Sequence, residues 1–135
     1  MNTAKPIINL IKTQADTSIE NLHDNEEVIW NFKVTNCNED NSINQVLLSY
    51  DMQIVIGTTF NDSIEYHLFK KGENGSATEI ELINGKTNEG FTMCANTLQE
   101  DNYYLKLKTK NGVDIKGIED NITIKLNAIQ QISSN

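Results

Sequence analysis

Strict alternation of apolar and polar residues runs through most of this chain and constrains its fold more than any other feature. In Glu27–Thr35, one face carries Val28, Trp30, Phe32 and Val34, and the other carries Glu27, Asn31, Lys33 and Thr35. A period of two is that of a half-buried β-strand, because successive side chains of a strand point to opposite faces. No segment shows the period of a long amphipathic helix. The pattern therefore predicts an all-β fold.

The longest alternating stretch is Gln45–Ile56, which predicts one long strand with a bulge or bend. The same alternation continues at Ile64, Tyr66 and Leu68, at Ile80 and Leu82, at Phe91 and Met93, at Tyr103, Leu105 and Leu107, and at Ile122, Ile124, Leu126 and Ala128. Short strands at such regular spacing are typical of sandwiches and jelly rolls.

Turn signals separate these strands. Asn74-Gly75, Asn84-Gly85 and Asn111-Gly112 are pairs that readily adopt the positive φ angles of tight hairpins, and hairpins imply antiparallel pairing. The polar clusters 38–41 and 100–102 are predicted as loops. We therefore expect residues 1–135 to form a single antiparallel β-sandwich of jelly-roll or immunoglobulin-like type, with about seven to nine strands.

The N-terminal segment differs from the rest of the chain. Its apolar residues, Ile7, Ile8, Leu10 and Ile11, fall on both faces of an extended chain, and a polar stretch from residue 13 to 18 follows them. A strand buried on both faces has this composition. A segment that docks on another molecule has it too, and both interpretations stay open.

Charge excludes several classes of partner. The chain has 19 acidic residues, 11 basic residues and a formal net charge of -8 at pH 7. Such a charge repels phosphate backbones and anionic lipid headgroups. All the basic residues are lysines, so the planar fork with which arginine binds phosphate is missing. We expect no nucleic acid partner, and no run of about 18 apolar residues predicts a membrane span.

Residues that carry catalysis are not arranged in any recognised motif. His23 and His67 do not form a His-Glu-x-x-His pair, and no serine or cysteine lies in a nucleophile motif. Acidic groups at Asp24, Glu26 and Glu27, at Glu39 and Asp40, and at Glu119 and Asp120 lack the spacing of a calcium loop. We expect solvated loop acids, no metal, no cofactor and no enzymatic activity.

Two further features have competing interpretations. Cys37 and Cys94 are a candidate disulfide in an oxidising compartment and two unpaired thiols otherwise, and unpaired thiols are favoured. Trp30, Tyr103 and Tyr104 are candidates for a sugar-binding platform, although the alternation around Trp30 favours a buried ring.

Three segments together resemble one family of proteins. They are Val28–Asn36 (VIWNFKVTN), Gln45–Ile54 (QVLLSYDMQI) and Ile122–Gln130 (ITIKLNAIQ). Between them, Ile64–Lys71 and Asp101–Leu107 are similar to further strands of the same group, in the same order. This is the TasA and camelysin family, and the resemblance covers residues 5–131. The Pro-Gly that usually precedes the first of these strands is replaced here by residues 23–26, and no leader peptide is recognisable, so a signal peptide is either absent or already removed.

The resemblance implies a jelly-roll-like protein exported by a Gram-positive bacterium and assembled into surface or biofilm-matrix fibres. Such fibres are held by strand donation, and residues 5–13, with Ile7, Ile8, Leu10 and Ile11, are then the candidate donor strand. Some relatives are described as metalloproteases, which no ligand motif here supports. The chain is therefore expected to be an extracellular or cell-surface structural subunit that self-associates, with a cell-surface or matrix partner in addition. The alternative is a monomeric adhesive module that binds carbohydrate or protein.

Overall fold

The computed structural model describes residues 5–12, 21–22, 27–57, 64–110, 115–116 and 122–131. All regular structure in these ranges is β-strand, which confirms the predicted all-β fold. The strands are β1 (Asn9–Lys12), β2 (Asn21–Leu22), β3 (Glu27–Thr35), β4 (Leu48–Ile56), β5 (Ile64–Lys71), β6 (Ala77–Ile80), β7 (Leu82–Ile83), β8 (Lys86–Thr87), β9 (Phe91–Met93), β10 (Glu100–Thr109), β11 (Ile115–Lys116) and β12 (Ile122–Gln130). The described ranges thus contain more strands than the predicted seven to nine, because two-residue strands are too short to show alternation.

The strands form two five-stranded sheets and one short ladder. The first sheet has the order β1-β3-β10-β5-β6. The second has the order β12-β4-β8-β7, with β9 also paired to β4, and β11 pairs with β2 separately. Every strand pair among the described residues is antiparallel.

One apolar core lies against both sheets. Its buried side chains occupy the alternating positions of the sequence: Trp30, Phe32 and Val34 from β3; Leu48, Tyr50, Met52, Ile54 and Ile56 from β4; Ile64 and Leu68 from β5; Tyr103, Leu105 and Leu107 from β10. Burying such side chains stabilises a fold by about 1.5–3 kcal/mol each, so this core is the main favourable term.

The predicted hairpins are present where the structure describes them. Asn84 and Gly85 have φ angles of 53° and 81° and join β7 to β8 as a two-residue turn. A Cβ atom at position 85 would lie 2.6 Å from the carbonyl oxygen of Ile54, so both the φ angle and the space require glycine there. Gly75, with φ 82°, lies in the turn between β5 and β6. Asn111-Gly112 lies outside the described residues.

Two predicted boundaries are wrong. The stretch predicted as one strand from Gln45 begins as β4 only at Leu48, because the residues before it turn into a loop that is bonded through buried Asn44. The predicted loop at residues 100–102 is the start of β10. The prediction treated its polar residues as exposed, whereas Asp101 is 9% exposed and has its hydrogen-bond partners inside the protein.

Those partners form a chain of hydrogen bonds that joins the two sheets. The Tyr50 hydroxyl of β4 donates to Asp101 Oδ2 of β10 at 2.5 Å and lies 2.6 Å from the Tyr103 hydroxyl. Gln99 Nε2 donates to both carboxylate oxygens of Asp101, at 3.0 and 3.1 Å. Burial raises the pKa of Tyr50 and of Tyr103, so both phenols stay protonated as this arrangement requires. This chain of hydrogen bonds fixes how one sheet lies on the other.

Replacing Tyr50 by phenylalanine should lower the free energy of unfolding by about 1–3 kcal/mol, because Asp101 and Tyr103 lose a buried partner. Urea denaturation measures the difference. Tyr104→Phe is the matched control, since Tyr104 is half-buried on the outer face of the first sheet and should change stability little. Equal effects of the two substitutions would contradict the role given to this hydrogen-bond chain.

Candidate functional site: the seat of the N-terminal strand

The N-terminal strand β1 lies at an edge of the first sheet, where it pairs only with β3 among the described strands. The pairing is antiparallel and places Leu10 opposite Val34 and Ile11 opposite Lys33. Because opposite residues share a face, Leu10 points to the core and Ile11 points outwards. We call this position of β1, with the groups that hold it, the seat of the N-terminal strand.

Polar side chains hold the residues just before β1. The Ile7 main-chain N–H donates to Asn44 Oδ1 at 3.0 Å, and the Lys5 N–H donates to Gln45 Oε1 at 3.2 Å. The Gln45 N–H returns a bond to the Lys5 carbonyl at 3.1 Å. The accepting side chains thus bind main-chain groups of the N-terminal segment, and such bonds do not depend on which side chains the segment carries.

Asn44 is the centre of this arrangement and is fully buried. Its amide nitrogen donates to the Cys94 carbonyl at 2.9 Å and also to the Val46 carbonyl. Neighbouring Asn36 is also fully buried and donates to the carbonyls of Cys94 and Thr97 at 3.0 and 2.7 Å. Asn44 therefore links the N-terminal segment to the loop that precedes β10, and Asn36 binds the same loop beside it.

The apolar side chains of β1 and of the residue before it are only partly buried. Ile8 and Leu10 are half-buried and pack against the core, whereas Ile11 is 42% exposed. Ile11 lines an open groove of about 810 Å³ together with Lys33, Glu39 and Leu98, the last of which is 54% exposed. The predicted segment with apolar residues on both faces is therefore present, but only its inner face is covered.

Both cysteines lie close to this seat. The Cys37 carbonyl accepts a hydrogen bond from Asn9 Nδ2 at 3.1 Å, and the Cys94 carbonyl accepts those of the two buried asparagines. Both thiols are free, with Cys37 half-buried and Cys94 exposed. The structure thus has two unpaired thiols, the arrangement favoured by the sequence.

Of the candidate acidic residues, Glu27, Glu39 and Asp40 lie in the described part of the chain. Glu27 pairs with Lys106 at 3.1 Å, and Asp40 Oδ1 accepts the Ser42 N–H. Hydrogen bonding with the Ser42 side chain first, and then with this N–H, lowers the pKa of Asp40. His23, Asp24, Glu26, Glu119 and Asp120 lie outside the described residues. Among the residues described, no group of three or more histidine, cysteine or acidic side chains is placed to hold a metal ion.

Two of the three candidates for a sugar platform are core residues, which for Trp30 is the interpretation that its alternation favoured. Trp30 and Tyr103 are buried, at 4% and 0% exposure, because they alternate on the core face of β3 and β10. Tyr104 does point outwards and stacks on Phe69 of β5, with ring centroids 4.8 Å apart. Lys71 and Lys106 place their ammonium groups 5.8 and 5.3 Å from the Tyr104 and Phe69 ring centroids. The sequence pattern did not indicate Phe69 as the partner of Tyr104, because this contact follows from the register between β5 and β10.

His67 lies on the same outer face between two carboxylates. Its Nε2 is 3.0 Å from Glu65 Oε1, and its Nδ1 is 3.3 Å from Glu79 Oε2 of β6. The hydrogen bond with Glu65, followed by that with Glu79, raises the pKa of His67, and the same bond lowers the pKa of Glu65. Lys106 of β10 lies opposite His67 in the register and is engaged with Glu27. The cluster joins β5 to β6 at the outer face.

Comparisons of the chain with models of protein families, with curated proteins and with solved structures found no match. Within the described ranges, no helix is present that is long and apolar enough to cross a membrane.

Asn44→Ala should release the N-terminal segment. The substitution removes the acceptor of the Ile7 N–H and two buried donors, so we expect a loss of about 2–3 kcal/mol in the free energy of unfolding. Hydrogen exchange at residues 7–12 should accelerate more than at β10. Asn102→Ala, at an exposed position, is the control, and equal protection of residues 7–12 in both variants would contradict the role given to Asn44.

The His67 cluster should make stability depend on pH. A raised pKa means that the stabilisation is complete below the ordinary histidine value of about 6.5 and is lost as pH rises through the folded-state value. His67→Gln should therefore lower the unfolding midpoint at about pH 6 and leave it nearly unchanged at about pH 9. A difference from the parent protein that stays constant across this range would count against the cluster. Thermal melts followed by circular dichroism measure it.

Proposed function

We propose that this chain is a non-catalytic, extracellular structural subunit that assembles into surface or biofilm-matrix fibres by β-strand donation. The observation that carries the proposal is the seat of β1. A four-residue edge strand, in which Leu10 is half-buried and Ile11 is exposed, is bound there by main-chain pairing with β3, and Asn44 and Gln45 bind the main chain just before it.

These properties suit an exchangeable strand. A segment that leaves the seat uncovers Ile8 and Leu10, which are half-buried, and the same segment of a neighbouring copy can cover them again and remake every bond with β3, Asn44 and Gln45. The hydrogen bonds that break and those that form are then identical, which is why exchange of an element between identical chains costs little. Repeated head to tail, the exchange gives a polymer in which each subunit donates one strand and accepts another.

We propose that the two sheets are the layers of a β-sandwich of jelly-roll type, as in the TasA and camelysin family. Two antiparallel sheets around a shared core, and the passage from β6 of the first sheet to β7 of the second across the single residue Glu81, support this assignment. A closed sandwich presents its binding surfaces at sheet edges, and β1 is such an edge.

Charge offers a way to control assembly. The net charge of -8 makes copies repel each other at neutral pH, and Glu39, Asp40 and Glu100 all lie around the groove beside β1. Protonation of carboxylates reduces this repulsion. Assembly should therefore be faster in mild acid.

A reversible lock tests strand donation in the full-length chain. Ile11 and Lys33 are directly opposite on β1 and β3, so Ile11→Cys with Lys33→Cys, in a chain with both native cysteines replaced by serine, should form a disulfide within one copy. The oxidised protein should stay monomeric at about pH 4, and the reduced protein should form fibres. Electron microscopy gives the readout, and the single Ile11→Cys variant controls for the substitutions. Fibres from the fully oxidised protein would refute donation of β1.

A second candidate function, a monomeric adhesive module, is favoured by one specific observation. The stacked Phe69 and Tyr104 rings lie at the outer face with Lys71 and Lys106 beside them, and sugar rings stack on such platforms. In this function the flanking ammonium groups would select acidic sugars.

The adhesive function predicts that a strictly monomeric sample binds acidic oligosaccharides on a glycan array and that Tyr104→Ala weakens this binding at least tenfold, as an order of magnitude. Tyr66→Ala provides a comparison on the core-facing register of β5. Absence of binding by the monomer, together with fibre formation by the parent chain, would exclude the adhesive module.

A further inference from the structure

The four strands that end the two sheets differ greatly in length. β1 and β6 have 4 residues each and β7 has 2, whereas β12 has 9. In the part of the chain that the structure describes, β12 pairs with β4 alone, over its whole length from Ile122 opposite Ile56 to Gln130 opposite Leu48. Its other side therefore carries a long row of main-chain groups without a described strand partner.

The strand β12 has little of the protection that edge strands usually have. Native proteins block edges with proline, with charged side chains, lysine above all, with a bulge, or by keeping the strand very short. The sequence of β12, ITIKLNAIQ, has no proline and a single charged residue, Lys125. Its register with β4 advances by one residue on each strand throughout, without a bulge. By these criteria β12 is an edge strand with which a further strand can pair.

The side chains of β12 also lack full cover. Ile124, Leu126 and Ala128 point to the core but are only half-buried. On the outer face Ile129 is 63% exposed, the most exposed large apolar side chain among those described. A strand added beside β12 would cover both faces at once.

We propose that β12 pairs with β12 of a second copy, antiparallel and centred on Leu126, so that the second sheets of two subunits join across a two-fold axis. This register is the only antiparallel one that pairs all 9 residues, since it places Ile122 opposite Gln130 of the second copy and Gln130 opposite its Ile122. Such an isologous contact uses the same surface on both copies and closes at two.

The charges of β12 fit a second copy in this register. Lys125 lies opposite Asn127 of the second copy, so the two lysines do not face each other. Thr123 lies opposite Ile129 on the outer face, which covers the exposed isoleucine, and Ile124 lies opposite Ala128 on the inner face. Parallel in-register pairing, by contrast, would place Lys125 against Lys125. In a chain of net charge -8, this strand carries no acidic residue, so two copies can approach here with less repulsion than at β6, which exposes Glu79.

The pairing goes beyond strand donation and does not depend on it. Donation of β1 uses an edge of the first sheet, whereas β12 lies at an edge of the second. Where both operate, donation extends a filament and β12 joins two filaments side by side.

Sedimentation equilibrium of the full-length chain at neutral pH, up to about 1 mM, tests the pairing. The parent chain should show a monomer–dimer equilibrium. Asn127→Lys places two like charges opposite Lys125 at two symmetric positions, so the dimer dissociation constant should rise about tenfold. Asn127→Asp creates two opposite-charge pairs and should lower the constant. Asn127 is exposed, so both variants should keep the fold, which circular dichroism verifies.

Thr92→Lys is the matched control, because it adds the same charge at an exposed position of the second sheet on β9, away from β12. It should leave the dissociation constant within about twofold of the parent value. Non-specific repulsion predicts the opposite order, with tighter association of both lysine variants and weaker association of Asn127→Asp. The proposal would be overturned by that order. It would also be overturned by equal dissociation constants for Asn127→Lys and Thr92→Lys, or by a parent chain that stays monomeric at every concentration. Fibre formation by donated β1 is unaffected by any of these results and is scored separately by the disulfide lock.

Discussion

The hydrogen bonds from Tyr50 to Asp101 and Tyr103 are the interaction on which the arrangement of the two sheets depends. Apolar packing alone is non-directional, so it does not fix how one sheet lies on another. A buried carboxylate does fix it, because a shift of β4 against β10 takes the Tyr50 hydroxyl away from Asp101 and leaves that carboxylate with the Gln99 amide as its remaining described donor. The most protected part of the molecule is therefore its centre. Strands at the edges add less to stability, and local opening at an edge need not unfold the rest.

The proposed assembly requires a chain that is both a stable domain and a building block, and this division of stability is compatible with it. The seat of β1 holds its strand through buried Asn44, which binds the main chain of the N-terminal segment and not its side chains. An identical segment from another copy fits it equally well. The β12 edge has the opposite chemistry, with no buried amide to hold an incoming strand and no protecting charges beyond Lys125. The first edge suits exchange of a strand between copies, and the second suits addition of a strand.

Much of the fold follows from the sequence, because a period of two directly reports which residues face the core. Trp30, Phe32 and Val34 are buried as their alternation predicts, and Asn84-Gly85 forms its hairpin. The failures share one cause. Asp101, Asn36 and Asn44 are polar residues satisfied by partners distant in sequence, such as Tyr50 and the carbonyl of Cys94. The local pattern assigned Asp101 to a loop and indicated no buried role for Asn36 and Asn44. The sequence pattern therefore did not predict the role of Asn44 in the candidate site, although it did identify the N-terminal segment that Asn44 binds. Phe69 beside Tyr104 was missed for a related reason, since strand register is a tertiary property.

The central claim is that in the assembled state β1 of one copy lies beside β3 of another. Fibres grown from an equal mixture of two chains, one carrying Ile11→Cys and the other Lys33→Cys, both without the native cysteines, test it directly, because neither chain can form this disulfide alone. Donation predicts that oxidation of the fibres links the two kinds of chain covalently, at about a quarter of the Ile11–Lys33 contacts if mixing is random, because only an Ile11→Cys donor beside a Lys33→Cys acceptor can form the bond; monomers oxidised at the same dilution stay unlinked. Fibres that yield no link between unlike chains would contradict the account, since β1 would then have remained in its own subunit.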